Sequence, residues 1–206
     1  EGLHHITAIT ADAPRNVDFY ARVLGLRLVK KTVNFDQPDV YHLYFGDERG
    51  TPGSILTFFE FPGAALGQAG DGMVHTIQWR VGSDEALDFW AARLADADVA
   101  TERTEEGALA FADFEGLRHE LLAVAVDDAP LAAHAPDIPA EHALLGFHGV
   151  RAYASRPDAS TGLLRRLEIG ALVWTAAAIG VVLAGWPSRT DVMLGIAGGG
   201  LLSIAS

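Results

Sequence analysis

The sequence predicts an α+β fold made of repeated units, each with one strand, one helix and three further strands. The first observation is an internal repeat of about 70 residues, because His5 and His75 each stand 13 residues before an Asp-Phe-aromatic triplet. The triplets begin at Asp18 and Asp88. The second observation is that apolar residues alternate, change to helical spacing and alternate again within each unit. Two complete βαβββ units are therefore expected.

The first unit is expected at residues 1–63. An alternating run at 3–10 predicts its first strand, and Asp12 is the predicted N-cap of a helix that ends at Gly25. The remaining strands of this unit are predicted at 26–35, 40–46 and 54–61. The Asp-Phe-aromatic triplet lies in the helix and is predicted to belong to the core.

The second unit, 72–126, repeats this order. Its first strand is predicted at 74–81, and a helix at 84–94 follows Ser83, the predicted N-cap. The remaining strands are predicted at 100–104, 108–112 and 117–124. The order of elements is therefore expected to be the same in both units.

A linker and the start of a third unit are predicted next. Residues 127–142 include three prolines and are interpreted as a linker rather than a packed element. His148 opens a third strand-like run within 143–167, and the repeat pattern ends there. The third unit is therefore expected to be incomplete.

The C-terminal segment, 168–206, is apolar and is predicted to be helical. Residues 169–186 carry no charge over 18 positions, and as a helix they would be about 27 Å long, close to the thickness of a bilayer's hydrocarbon core. Arg165 and Arg166 precede this run, so a membrane-tethered chain would keep its enzyme part in the cytoplasm. The alternative interpretation is a truncated or fused sequence. A cytoplasmic location is expected in both cases, since no signal peptide is recognised at the start.

Composition narrows the function. A net charge of -12 argues against binding to nucleic acid and favours small-molecule partners. The absence of cysteine leaves His, Asp and Glu as the side chains that could bind a metal. Hard-ligand metals are therefore expected if the chain binds a metal at all.

Four segments resemble a known family of enzymes. These are LHHITAIT, NFDQPDVYHLYFGDERGTPGSILTFFEFP, GMVHTIQWRV and FADFEGLRHELL. They resemble the first half of a ring-cleaving, hydroquinone-type dioxygenase of the vicinal oxygen chelate superfamily, which includes glyoxalases and bleomycin-resistance proteins. The resemblance covers roughly residues 2–166. It implies that paired βαβββ units form a cup-shaped mixed sheet with a divalent metal at its floor.

The resemblance also implies the site residues. The metal ligands would be His5, His75 and Glu120, and His4 would assist catalysis. An alternative is that His148 completes a set with His75 and Glu120, which would leave His5 in need of a fourth unit. Two imidazoles and one carboxylate leave positions open on Fe(II), or on Mn(II) as the second choice, for an aromatic diol and dioxygen.

Other interpretations of these residues remain open. His5 and His75 could be ordinary strand residues, and Glu120 could face solvent. Thr57 stands where four-ligand glyoxalases would place a carboxylate, which favours a dioxygenase over a glyoxalase-like lyase or isomerase. A metal-free binding module is the third alternative. A further alternative is a homodimer in which His5 of one chain meets His75 and Glu120 of the other.

Overall fold

The computed structural model describes residues 3–68 and 70–156. The first repeat consists of β1 (His5–Thr10), α1 (Ala13–Val17), which continues as a π-helical segment (Asp18–Val23), β2 (Arg27–Val33), β3 (Tyr41–Gly46) and β4 (Ile55–Glu60). The second repeat consists of β5 (Val74–Val81), α2 (Asp84–Asp96), β6 (Thr101–Arg103), β7 (Leu109–Ala112) and β8 (Arg118–Ala123). A 3-10 turn (Ala140–His142) and β9 (Phe147–Ala152) follow. The order of elements in both repeats follows the predicted βαβββ pattern, and β9 lies where the third unit is predicted to start.

Each repeat forms its own mixed sheet. The first sheet has the order β1-β4-β3-β2, and the second has the order β6-β7-β8-β5-β9. The first and last strands of each repeat pair in parallel, β1 with β4 and β5 with β8. β9 then pairs antiparallel with the outer edge of β5, whereas β1 is an edge strand among the residues that the structure describes. The described residues therefore confirm an α+β fold with mixed sheets.

Local sequence signals begin and end the helices as predicted. The Asp12 carboxylate accepts a hydrogen bond from the backbone N–H of Arg15 at 3.0 Å, and the Ser83 hydroxyl accepts one from Ala86 at 3.3 Å. Such caps satisfy backbone donors that the first helical turn leaves unpaired. Gly25 has a φ of +69°, which favours glycine, and it follows the π-helical segment.

The two repeats share one hydrophobic core. The aromatic residues that end the two triplets, Tyr20 and Trp90, are fully buried. Strands of both sheets supply the remaining large side chains, which include Leu43, Phe45, Leu56, Phe58, Ile77, Trp79 and Leu121. Burial of each such side chain contributes about 1.5–3 kcal/mol. The aromatic residues of the triplets therefore belong to the core as predicted, whereas Asp18 and Asp88 are exposed and form ion pairs with Arg22 and Arg103.

A buried chain of hydrogen bonds also joins the repeats. The Trp79 indole N–H donates to Nδ1 of His119 at 3.1 Å, so the neutral imidazole carries its proton on Nε2. That Nε2–H donates to the Tyr20 hydroxyl at 3.1 Å, and the hydroxyl donates to Asp113 at 2.8 Å. Burial lowers the pKa of His119 to about 3. The ring is therefore held neutral in the folded protein.

The segment predicted as a linker, 127–142, packs against both repeats. Ile138 is buried in the shared core, and a Cβ atom added to Gly25 would lie 2.3 Å from its Cδ1 atom. The Arg93 side chain donates to the Asp137 carboxylate at 2.7 Å. The segment contains no strand, as expected of a linker. Unlike the predicted linker, however, it is packed, because its apolar side chains lie against both repeats.

The apolar segment 168–206, including the predicted span 169–186, lies outside the described residues, as does the end of the predicted third unit, 157–167. Within residues 3–68 and 70–156, no helix is both long and apolar enough to cross a membrane. The membrane prediction therefore stays a prediction.

Candidate functional site

One face of the first sheet carries polar side chains. Alternation along the strands turns Leu43, Phe45, Leu56 and Phe58 into the core. The residues between them face the other way, and we call the following six the polar face: His5, Thr7, Lys30, His42, Tyr44 and Thr57. The predicted ligand His5 therefore lies on a surface of hydroxyl, imidazole and ammonium groups.

His4 and His5 contact each other at the start of β1. Their Nδ1 atoms are 3.0 Å apart, and the two rings meet edge to face. The sequence predicts opposite strand faces for the pair, but His4 precedes the strand, so the alternation rule does not apply to it. Burial and the neighbouring His4 both lower the pKa of His5. The neutral imidazole is the form that binds a metal.

Next to His5, the polar face contains a threonine pair. The Thr57 hydroxyl donates to the Thr7 hydroxyl at 3.0 Å, and Thr57 is almost fully buried. Thr57 is thus the last-strand residue of the first repeat on this face, as the sequence predicts, and it offers no carboxylate.

Two residues of β3 form the other part of the polar face. The Tyr44 hydroxyl lies 2.9 Å from Nδ1 of His42, whose ring stands between those of Tyr44 and Phe59 at centroid distances of 4.1 and 3.8 Å. The pKa of His42 is lowered, mainly by burial and to a smaller extent by the charges of Lys30 and His5. Burial also raises the pKa of Tyr44. The sequence alone gives these residues no role, although their alternation with buried Leu43 indicates the shared face.

The strand register shifts the expected match between His5 and His75 by one residue. His5 opens six parallel pairs opposite Ile55, whereas the six pairs of β5 and β8 begin with Thr76 opposite Arg118. Thr76 therefore corresponds to His5, and His75 to His4. His75 stacks on Tyr153 at 4.2 Å and hydrogen-bonds the Thr76 hydroxyl at 2.9 Å.

A one-residue difference between the two helices explains this shift. Asp12 precedes Asp18 by six residues, but Ser83 precedes Asp88 by five. The extra residue of the first repeat lies just where the helix becomes π-helical, a conformation that takes up single insertions. The equal spacing of both histidines from the triplets therefore hides the difference in register.

Glu120 lies on the face of β8 opposite His119 and is buried rather than solvent-facing. Its Oε2 atom accepts hydrogen bonds from Nε2 of Gln78 at 2.8 Å and from Nε of Arg151 at 2.9 Å. Gln78 is directly opposite Glu120, and Arg151 also contacts Glu106. The carboxylate is therefore already paired with a cation.

His148 is an exposed residue of β9. The pairing of β9 with β5 shifts between Gly149, opposite Gln78, and Phe147, opposite Trp79, so His148 has no partner residue in the ladder. In residues 3–68 and 70–156, no three His, Asp or Glu side chains form a group that could hold a metal ion. Neither predicted ligand set is thus assembled in this part of the single chain, and both assignments stay predictions.

Comparison with known proteins identifies the family. Residues 2–121 match the Glyoxalase/Bleomycin resistance protein/Dioxygenase superfamily. The chain is 42% identical over 172 residues to "Putative ring-cleaving dioxygenase MhqO" of Bacillus subtilis, covering 81% of this chain and 54% of that protein. It is 35% identical over 174 residues to the chlorohydroquinone/hydroquinone 1,2-dioxygenase of Sphingobium indicum, covering 80% of this chain and 53% of that enzyme.

A solved structure gives the same result. The crystal structure of a "putative dioxygenase" from Bacillus subtilis is 41% identical, with a TM-score of 0.74, and the match covers 81% of this chain and 54% of that one. The chain thus spans about half the length of these relatives. The chain belongs to the Glyoxalase/Bleomycin resistance protein/Dioxygenase superfamily, as its resemblance to that family predicts.

Proposed function

We propose that this chain acts as a metal-dependent, extradiol-type dioxygenase that opens the ring of a hydroquinone or catechol-like compound. The observation that carries the proposal is the similarity, over four fifths of the chain, to proteins named as ring-cleaving dioxygenases. The polar face supports it, because hydroxyl and imidazole groups suit a small aromatic diol.

The proposed metal is Fe(II), with Mn(II) as the alternative. His5 fits such an ion, since its imidazole has a lowered pKa and lies on the polar face. Glu120 fits less well as it stands, because Arg151 and Gln78 occupy its Oε2 atom. When bound with open positions, the ion would supply the redox chemistry between the diol and dioxygen.

The remaining ligands are proposed to come from a second copy of the chain. His5 of one copy would meet His75 and Glu120 of the other, and His148 is the alternative histidine. β1 supports this arrangement, because it is an edge strand, whereas β9 covers the edge of β5, its counterpart in the second repeat. Within the chain, His4 would orient the His5 ring through their 3.0 Å contact.

Metal content and oxygen uptake test the proposal together. The full chain, purified without oxygen and loaded with Fe(II), is expected to consume dioxygen with hydroquinone or catechol and to yield a ring-opened product. Methylglyoxal with a thiol is expected to give no turnover. Lactoylthiol formation with Ni or Zn, and no oxygen uptake, would establish a glyoxalase-like isomerase. Tight binding of aromatics without any metal would instead indicate a binding module.

Single substitutions test each ligand separately. His5→Ala is expected to lower metal affinity by at least the 10- to 100-fold that loss of a residue contacting a ligand can cost. His75→Ala and Glu120→Gln should lower metal affinity in both alternative sets, whereas the comparison of His5→Ala with His148→Ala decides between the sets. His134→Ala is the matched control, because His134 is exposed and belongs to no predicted set. Unchanged metal content in His5→Ala would contradict the assignment.

A further inference from the structure

A row of four polar side chains crosses the whole first sheet. Thr7 is directly opposite Thr57, Thr57 is opposite Tyr44, and Tyr44 is opposite Lys30. We call these four residues the polar row. Because neighbouring strands are about 4.8 Å apart, the row spans about 14 Å between the backbones of its end residues. That length is sufficient for one aromatic ring between the two ends.

The contacts within the row leave its cation available. The two threonine hydroxyls bond to each other at 3.0 Å, and His42 holds the Tyr44 hydroxyl at 2.9 Å. The Lys30 ammonium lies 5.4 Å from the centre of the Tyr44 ring. This ammonium lies above the face of the ring, next to the surface that the row offers to a ligand.

The corresponding row of the second sheet has the opposite charge. Its residues are Gln78, Glu120, Ala110 and Glu102, paired in the same way across β5, β8, β7 and β6. Two carboxylates thus stand where the first sheet has Thr57 and Lys30. In a chain of net charge -12, the polar row carries a cation and no carboxylate. Its charge is therefore complementary to an anion.

Aromatic rings lie beside the polar row. The rings of Phe59, His42 and Tyr44 follow one another along this face. Stacked rings provide a surface on which a further aromatic ring can pack. Burial raises the pKa of Tyr44, so its hydroxyl keeps the proton that it could donate to an anionic oxygen.

We propose that Lys30 and the Tyr44 hydroxyl bind a carboxylate carried by the aromatic substrate and hold the ring between Lys30 and His5. This inference rests on the proposed function, since it names the substrate class of the same face. His42 is a positioning residue, because it acts on the substrate only through Tyr44.

Binding to the metal-free full chain, kept in solution with a mild detergent, tests the inference. The probes are 2,5-dihydroxybenzoate, which carries a carboxylate, and hydroquinone, which does not, and their affinities are measured by titration calorimetry after treatment with a chelator. Lys30→Met is expected to weaken binding of 2,5-dihydroxybenzoate about tenfold, the loss of one hydrogen bond to a charged group. Tyr44→Phe is expected to weaken it as well. Hydroquinone should bind the unaltered chain and Lys30→Met with almost equal affinity, because it has no carboxylate.

Lys31→Met is the matched control. Lys31 is the next residue of β2 and is also exposed, but it is opposite core-facing Leu43 and its ammonium lies 4.0 Å from the centre of the Tyr41 ring. It should therefore leave both affinities unchanged. Equal losses in the two lysine variants would overturn the inference, as would failure of the unaltered chain to bind 2,5-dihydroxybenzoate. Thermal unfolding of each variant confirms that it is folded.

The two proposals can fail separately. If no dihydroxybenzene is turned over but Lys30→Met weakens binding of 2,5-dihydroxybenzoate and Lys31→Met does not, the anion site stands and the dioxygenase proposal fails. If turnover occurs and Lys30→Met behaves like Lys31→Met, the dioxygenase proposal stands and the anion site is wrong.

Discussion

Replacement of His119 by Gln is predicted to change how stability depends on pH. The His119 ring is fully buried between Trp79 and Tyr20, and burial lowers its pKa to about 3. Because this pKa is below the ordinary value of His, the unfolded chain binds a proton more readily than the folded chain. The stabilisation is therefore complete above the ordinary pKa of about 6.5 and is lost as the pH falls toward 3.

The size of the effect follows from these two pKa values. Between about pH 7.5 and about pH 5, protonation of the unfolded chain at this one residue should lower the free energy of unfolding by about 2 kcal/mol. Glutamine can accept from the Trp79 N–H and donate to Tyr20 through its amide, but it does not titrate. The unaltered chain should consequently lose about 2 kcal/mol more than His119→Gln over this range.

Urea unfolding at several pH values measures this difference. The slopes of the unfolding curves check that each form unfolds in the same way. Replacement of exposed His134 by Gln is the control, and it should behave like the unaltered chain. Parallel stability curves for the unaltered chain and His119→Gln would refute the linkage, and would mean that the buried ring is protonated or can reach water.

Three further predictions concern the fold. Trp90→Ala should destabilise the chain by about 3–5 kcal/mol in urea unfolding, because the ring is fully buried and its N–H donates to the His142 carbonyl; a loss below about 1 kcal/mol would contradict its place in the core. Gly25→Ala should lower the free energy of unfolding by more than the about 1–2 kcal/mol that a left-handed alanine costs, since its Cβ would also meet Ile138. Gly63→Ala is the control for the backbone conformation alone, because nothing lies within 4 Å of the added Cβ. Equal losses of stability in the two variants would rule out the clash. A shortened chain that keeps residues 1–153, and so retains β9, should remain in solution after centrifugation, whereas we expect the full chain to partition with membranes or to aggregate; a detergent-free, monodisperse full chain would count against that expectation.

The repeat, the order of the elements and the starts of the helices could be predicted from the sequence. Alternation and helical spacing are properties of neighbouring residues. The strand at 74–81 and the helix after Ser83 could therefore be located without tertiary information. The same is true of the N-cap at Asp12 and the stop at Gly25. His5 could also be named as a candidate metal ligand, because the strand that it opens is recognisable from its local alternation.

Which side chains contact one another on the polar face could not be predicted from local sequence, because it depends on strand register. The first helix has one more residue than the second and takes it up in its π-helical segment. Equal spacing from the triplets therefore matched His75 to His5, whereas the strand register matches it to His4. Glu120 obtains its partners from Gln78 and Arg151, which are far from it in the chain. Tyr44 joins His5 on one face through the register of three strands. Strand register and ion pairs depend on residues distant in sequence, whereas periodicity and caps depend on neighbours.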